Sequence, residues 1–272
     1  MTGTANSFAI LQRSLEVPDV EKLKRAFRSV TCLAESDAHT LAEDAFGILV
    51  KNLSANDAIT LQGALQAEGV ESAVVLQTDL PQLPPIKFVH QMDCLPEALV
   101  VHDAIGRDFS IKWDQIMLVA AGSVRLTVFE QEKVTPTPSP FQTEVFAWSP
   151  FLFRGRGASR PAPEYISRER QTSKLLLELL LTGAIMRFQA EAERFRFNYL
   201  GDRERPELAE NFALLVQDVM RLAPQAMVNR GAYFLRENTP AVFEYPSKNA
   251  FYEEITWNMD ALAGGECVTA IE

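Results

Sequence analysis

Apolar and polar side chains alternate strictly from Met186 to Glu193, and a leucine-rich run precedes this stretch. The run, Leu175 to Leu181, contains a single charged residue, Glu178, and ends at a Thr-Gly pair. A period of two is typical of a β-strand. The leucine run alone also fits a buried helix, but its stop at Thr-Gly favours a second strand. The alternation continues to Tyr199 after a shift at Arg194, which we interpret as a β-bulge.

Shorter strand patterns precede this pair, and an amphipathic helix follows it. The helix begins at Pro206, and its apolar stripe consists of Leu208, Phe212, Leu215, Val216, Val219 and Leu222. The predicted strands are Lys87–Cys94, Ala98–Ala104, Phe109–Trp113 and a broken pair in Ile116–Phe129 that turns at Ala121-Gly122. Several antiparallel strands closed by one helix resemble a pleckstrin-homology-like barrel. The resemblance is one of fold and carries no diagnostic motif.

The first eighty residues follow another pattern, β-α-α-β-α-β. Asp19 is a typical N-cap for the first helix, Ser36 or Asp37 for the second, and Ser54 for the third, which ends at Gly69. The three predicted strands are Ser7–Leu15, Phe46–Leu53 and Val70–Thr78.

Two stretches in this region, RAFRSVTCLAESDAHTLAE and VKNLSANDAITLQGALQAEGVESAVV, resemble the C-terminal domain of ribosomal protein L7/L12. The resemblance covers about residues 19–75 and implies an α/β sandwich of the ferredoxin-like class. In that family a basic, glycine-containing helix-turn surface recruits translational GTPases. Arg25 and Arg28 match its basic positions, whereas Cys32 and Ala34 replace its glycines, and Ser36 and His39 replace its lysines. We expect the fold to carry over, and the factor-binding function not to.

The sequence LPQLPP at residues 80–85 predicts a domain boundary, because three prolines remove backbone donors and fix φ. The predicted fold class is α+β. An L7/L12-like domain spans residues 1–80, and a pleckstrin-homology-like barrel with a closing helix spans 86–225. Residues 226–272 form a helical extension.

An insertion at 131–172 interrupts the predicted barrel. It contains TPTPSP, a cluster of five aromatic residues at 141–153, and RGRGASRPAP, without periodicity. Five arginines against two glutamates between Arg154 and Arg170 make it locally basic. Trp148, Arg154 and Arg156 are therefore candidate interaction residues, and a solvated loop is the alternative.

Composition narrows the function classes. A net charge of −10 and a pI near 5.0 argue against a nucleic-acid binder. Three scattered cysteines predict reduced thiols and not a disulfide framework. No stretch reads as a signal peptide or a membrane span, so a cytoplasmic protein is expected. Self-association into a homo-oligomer stays open.

The chain carries none of the common catalytic or nucleotide-binding motifs. A hairpin centred on Pro96 would place His90 opposite His102, and two imidazoles are a partial metal site. Asp93 would then point to the other face, and ordinary cross-strand histidines are the alternative. Glu178, Glu191 and Glu193 are expected on the solvent-facing side of their strands and not in a catalytic site.

These observations favour a non-enzymatic binding or regulatory protein with protein partners and no cofactor. One alternative is a metal- or small-molecule-dependent enzyme that uses the face of His90 and His102. The other is a ribosome- or translation-factor-associated protein, suggested by Arg25 and Arg28.

Overall fold

The computed structural model has an α+β fold, as predicted. By its contacts the chain divides into two compact units, Met1–Arg125 with Ser173–Glu272, and Leu126–Thr172. In the part of the chain that the structure describes, no helix has the length and apolar content to cross a membrane. The described residues are 7–31, 33, 41–42, 45–102, 107–134, 164–183, 186–236 and 243–264.

The N-terminal region forms a three-stranded antiparallel sheet with two helices. Its strands are β1 (Phe8–Gln12), β2 (Ile48–Leu53) and β3 (Ser72–Leu76), in the order β2-β1-β3. The helices are α1 (Val20–Phe27) and α2 (Ala55–Ala67). The predicted order of elements is confirmed here, except that the helix predicted after Ser36 lies almost wholly outside the described residues.

The helix ends are set by the residues that the sequence suggests. The Asp19 carboxylate accepts a hydrogen bond from the Glu21 amide at 2.8 Å, and the Ser54 hydroxyl accepts one from the Asp57 amide at 3.2 Å. Each cap satisfies a backbone donor that has no partner inside the helix. Gly69, at φ +77°, follows α2 in the left-handed conformation that glycine adopts without strain.

Both faces of this sheet are covered. On one face α1 and α2 bury a cluster that includes Ile10, Leu23 and Leu61. On the other, Trp257 packs edge-on against Phe46, with 5.4 Å between ring centroids. Trp257 belongs to the C-terminal helix α5 (Lys248–Ala263).

A larger sheet is formed by six of the described strands. Its longest strand, β8, runs without a break from Ile116 to Val134, so the predicted turn at Ala121-Gly122 is wrong. Gly122 serves packing instead, because an added Cβ would lie 2.6 Å from the Tyr245 ring. The other strands are β4 (Ile86–Phe88), β9 (Glu164–Leu181), β10 (Arg187–Glu191), β11 (Met227–Val228) and β12 (Glu244–Tyr245). The order in the sheet is β11-β8-β9-β10-β4, and β12 also pairs with β8.

The predicted strand pair around Gly183 is confirmed. β9 and β10 are antiparallel, with Leu180 opposite Arg187 and Leu176 opposite Glu191. The pairing ends there, and 3₁₀ turns at Ala192–Arg194 and Asn198–Arg203 replace the predicted continuation of the strand. β8 and β9 also extend into both ends of the predicted 131–172 insertion.

A third sheet is an antiparallel meander of β5 (Gln91–Cys94), β6 (Ala98–His102) and β7 (Asp108–Lys112). The predicted helix after Pro206 is α3 (Leu208–Leu222), and it buries Phe212, Leu215, Val216 and Val219. These side chains share one core with residues of the second and third sheets and of α4 (Arg230–Arg236).

Candidate functional site

His102 lies between two carboxylates at the end of β6. Its Nε2 is 2.8 Å from Asp93 Oδ2 on β5, and its Nδ1 is 2.7 Å from Asp108 Oδ1 on β7. The three adjacent strands of the meander therefore each supply one group. The His102 side chain is 24% exposed, so the cluster is only partly shielded from solvent.

The predicted pairing of His90 with His102 is wrong by one residue. The observed register places Gln91 opposite His102 and Asp93 opposite Val100. The hairpin has a two-residue turn at Pro96-Glu97, in which the Leu95 amide donates to the Ala98 carbonyl at 3.1 Å. Because side chains alternate between faces, a slip of one residue exchanges the faces of a strand. His102 consequently meets Asp93, and the exposed His90 precedes the strand.

The two carboxylates favour the charged imidazolium. An ionised carboxylate only accepts hydrogen bonds, so both ring nitrogens of His102 act as donors. Hydrogen bonds to Asp93 and then to Asp108 raise the pKa of His102 above its ordinary value. In this state neither nitrogen has a lone pair for a metal ion. Among the described residues, no group of three histidine, cysteine or acidic side chains is placed to hold one.

We expect His102→Gln to destabilise the protein by about 1 kcal/mol at pH 5.5, since the bridge is partly exposed. Because the folded pKa is raised, this contribution is fully present below the unfolded pKa of about 6.5. This contribution is lost as pH rises through the folded pKa. The free energies of unfolding of the variant and the wild type should therefore converge near pH 9. Urea unfolding at both pH values, with His90→Gln as the control, measures the difference. A deficit of equal size at both pH values would contradict this reading.

Arg25 and Arg28 lie at the exposed C-terminal end of α1. The Arg25 guanidinium makes a bidentate contact with Glu68, with Nη2 2.6 Å and Nε 3.1 Å from the carboxylate. Glu68 is the C-cap residue of α2. Its charge offsets that of Arg25, which weakens the case for a basic factor-binding surface.

A second charged cluster surrounds Asp218 on α3. Arg203 makes two contacts with its carboxylate, at 2.7 and 3.2 Å, and Arg221 makes one at 3.1 Å. The Tyr199 hydroxyl donates to it at 3.2 Å. Burial is the main cause that raises the pKa of neighbouring Cys94 to about 12, so this thiol is not an activated nucleophile. Sequence reasoning missed the cluster because its members come from separate elements.

The expectation that Glu178 faces solvent is wrong. Its side chain is fully buried, and its carboxylate accepts hydrogen bonds from Arg187 Nη1 and Gln189 Nε2, both at 2.9 Å. Tyr252 of α5 packs over this side of the sheet, with the Arg187 guanidinium 4.6 Å from its ring centroid. Burial raises the pKa of Glu178, and the Arg187 charge opposes that rise.

The two other glutamates differ from Glu178. Glu193 is exposed as expected, whereas Glu191 is largely buried and pairs with Lys174 at 3.0 Å. The strand alternation is therefore correct, but the face that it assigned to solvent lies partly beneath α5.

A shallow cleft of about 220 Å³ lies between α2 and the start of β3. It is smaller than the roughly 300–1,000 Å³ of typical small-molecule sites. The Ser72 hydroxyl is buried there, without a hydrogen-bond partner among the described residues. The residues that line the cleft are Arg13, Gln62, Gln66, Val70, Glu71 and Ser72.

Strand β3 is an edge of the N-terminal sheet, since among the described strands it pairs only with β1. The Arg13 amide donates to the Glu71 carbonyl at 3.0 Å, and the Gln77 amide donates to the Ser7 carbonyl at 2.9 Å. Odd-numbered residues from 71 to 77 therefore bond to β1, because the pairs of an antiparallel ladder alternate. The backbone groups of Ser72, Val74 and Leu76 point away from the sheet.

The remaining candidates from the sequence, Trp148, Arg154 and Arg156, lie outside the described residues. Cys32 and Cys267 do so as well.

Comparison with known proteins identifies no relative. No family model matches the chain, and no significantly similar curated protein or solved structure was found.

Proposed function

We propose that the chain is a non-enzymatic binding protein whose edge strand β3 takes an extended strand from a protein partner. The observation that carries this proposal is the row of outward backbone groups on Ser72, Val74 and Leu76. An exposed edge offers such groups to an added strand, and its main-chain hydrogen bonds then supply much of the affinity.

The composition of β3 supports this proposal. Its sequence, SAVVL, contains no charge and no proline, the two devices that most often prevent pairing at an edge. All five residues are half-buried. The apolar side chains from Ala73 to Leu76 therefore retain surface that an added strand would cover.

Two outward carbonyls are already engaged. Leu76 is the N-cap of the 3₁₀ turn Gln77–Asp79, and its carbonyl accepts the first hydrogen bond of that turn. The Gln62 side-chain amide donates to the Ser72 carbonyl at 3.0 Å. A carbonyl has two lone pairs, so Ser72 can accept a second hydrogen bond from a partner strand.

The reactive groups described above support a binding role over a catalytic one. Both ring nitrogens of His102 are engaged by carboxylates, burial raises the pKa of Cys94 to about 12, and the Asp218 carboxylate is engaged by two arginines. A general base or nucleophile needs a free electron pair directed at its substrate, and these groups are turned to partners within the chain.

The finer fold assignments are part of the same proposal. The sheet order β2-β1-β3, with helices on one face, supports an L7/L12-like sandwich in the first eighty residues. The shared core of the second and third sheets around α3 supports a pleckstrin-homology-like barrel after the proline-rich segment at 80–85. Both folds commonly serve as interaction modules, and we infer a cytoplasmic protein.

Short random peptides displayed on phage provide the test. Peptides selected on the immobilised chain are expected to slow amide hydrogen exchange at Ser72, Val74 and Leu76. Val74→Pro should weaken their binding about ten-fold, since it removes one outward amide and spares the ladder to β1. Ala73→Lys should also weaken binding, by placing a charge on the edge.

Ala67→Lys adds the same charge on the solvent side of α2 and should bind peptide like the wild type. Urea unfolding checks that each variant is folded. If selection yields no peptide, or if the selected peptides bind Val74→Pro as tightly as the wild type, the proposal is wrong.

A further inference from the structure

We infer that the strand that pairs with β3 is the β3 strand of a second copy of the chain. The result is a two-fold symmetric dimer with one antiparallel six-stranded sheet, in the order β2-β1-β3-β3-β1-β2. This inference rests on the proposed function of β3 and names its partner.

The positions of the outward groups favour a self-complementary register. They lie on Ser72, Val74 and Leu76, and are therefore symmetric about Val74. With the two-fold axis at Val74, each Val74 pairs with Val74 of the second copy, and Ser72 pairs with Leu76. Every outward amide and carbonyl of the strand then has a partner. If the two strands slipped by one residue, outward backbone groups of one copy would face groups of the other copy that already bond to β1. If they slipped by two residues, one outward residue of each strand would have no partner.

Charge does not oppose this pairing. In the register centred on Val74, Glu71 at one end of the strand faces Gln77 of the second copy. Like charges directly opposite each other in a sheet are destabilising, and none arises here. Because β3 carries no charge, it has no group that would favour a strongly acidic or strongly basic partner strand.

Helix α2 supplies a second observation. A two-fold axis perpendicular to the sheet keeps both copies of α2 on the same face, on either side of the new seam. Gln62 and Gln66 already line the cleft beside β3, and Ile59 lies on the same side of the helix. The Ile59 side chain is 66% exposed, although its apolar surface would be more stable buried.

Gly63 lies one turn after Ile59, and an added Cβ there would meet nothing within 4 Å. Glycine inside a helix lowers its stability, and no neighbour among the described residues requires one here. A small side chain at this position lets a second helix approach to the roughly 8–10 Å that helix packing requires. In a symmetric helix pair, the Ile59 side chain of one copy would fill the space that Gly63 leaves on the other.

One edge strand and one helix face make a small interface, so we expect association in the micromolar range. Sedimentation equilibrium of the full chain, from low to high micromolar concentration, should show a monomer–dimer equilibrium. Ile59→Arg should raise the dissociation constant at least about ten-fold, because it places like charges near the two-fold axis. Val74→Pro should do the same.

Thr60→Arg is the matched control, because Thr60 is also exposed but lies on the side of α2 away from β3. It should dimerise like the wild type. Amide exchange at Ser72, Val74 and Leu76 should slow as the protein concentration rises.

Two results would overturn this inference alone. One is a wild-type chain that stays monomeric throughout the range while selected peptides still bind the edge in a manner sensitive to Val74→Pro. The other is a dimer that neither Ile59→Arg nor Val74→Pro weakens. A monomeric chain whose edge also binds no peptide would overturn both this inference and the proposed function.

Discussion

Gly231→Ala is expected to lower the free energy of unfolding by about 4 kcal/mol or more, which would unfold a marginally stable protein. A Cβ added at Gly231 in α4 would lie 2.0 Å from the Ala121 carbonyl oxygen in β8. Neither atom can turn away like a flexible side chain. The Asn229 side chain also holds this stretch of β8, because its amide bonds to both the Ala121 amide and carbonyl, at 2.9 and 3.1 Å.

Thermal and urea unfolding of the variant measure this effect. Gly63→Ala is the control, because it makes the same substitution in a helix where an added Cβ meets no atom within 4 Å. It should stabilise the protein by about 0.5–1 kcal/mol through helix propensity. A Gly231→Ala protein as stable as the wild type would mean that α4 does not pack on β8.

Arg187→Leu is expected to cost about 3–5 kcal/mol at neutral pH, because it leaves the Glu178 carboxylate buried without its cation. The Glu178 side chain is 0% exposed and that of Arg187 is 8% exposed. The double variant with Glu178→Leu should recover most of this loss, since a pair of apolar side chains carries no desolvation penalty. Urea unfolding of the two single variants and the double variant gives the coupling energy.

The effect of Arg187→Leu should also depend on pH. The folded pKa of Glu178 is raised, so its contribution to stability is fully present below the unfolded pKa and falls as pH rises through the folded pKa. Loss of the arginine removes a charge that lowers this pKa, and the variant should lose stability over a wider range of pH. We expect a smaller deficit at pH 4.5 than at pH 8. An equal deficit at both, or a double variant no better than Arg187→Leu, would contradict the buried ion pair.

Local signals in the sequence predicted the local parts of the fold. The caps at Asp19 and Ser54 and the turn after Leu181 depend on residues a few positions apart, and the structure confirms all three. The alternation of apolar and polar residues around Phe188 is also a local signal, and it correctly predicts which side chains of β10 face the core.

Predictions that depend on distant residues were wrong or incomplete. Alternation cannot say which face of a strand is buried once a helix from elsewhere packs on it, so Glu178 beneath Tyr252 was assigned to solvent. The one signal in the sequence for a buried polar contact at Glu178 is that this charge interrupts a run of leucines. The sequence predicts a turn at Gly122 because the ring that requires this glycine, Tyr245, lies more than a hundred residues away. A hairpin centred on Pro96 shifts the register by one residue from the observed pairing, and this shift hides the contact between His102 and Asp93.

The indole of Trp257 donates to the Gln12 carbonyl at 2.8 Å, a contact between residues 245 positions apart. Contacts at such separation raise contact order and slow folding. During translation, α1 and α2 can cover one face of the N-terminal sheet early. The opposite face, with Leu11, Phe46 and Ile48, lacks the cover of Trp257 until α5 leaves the ribosome. The nascent chain therefore carries an incompletely covered apolar surface between the synthesis of the N-terminal sheet and that of α5, when chaperones would protect it from aggregation.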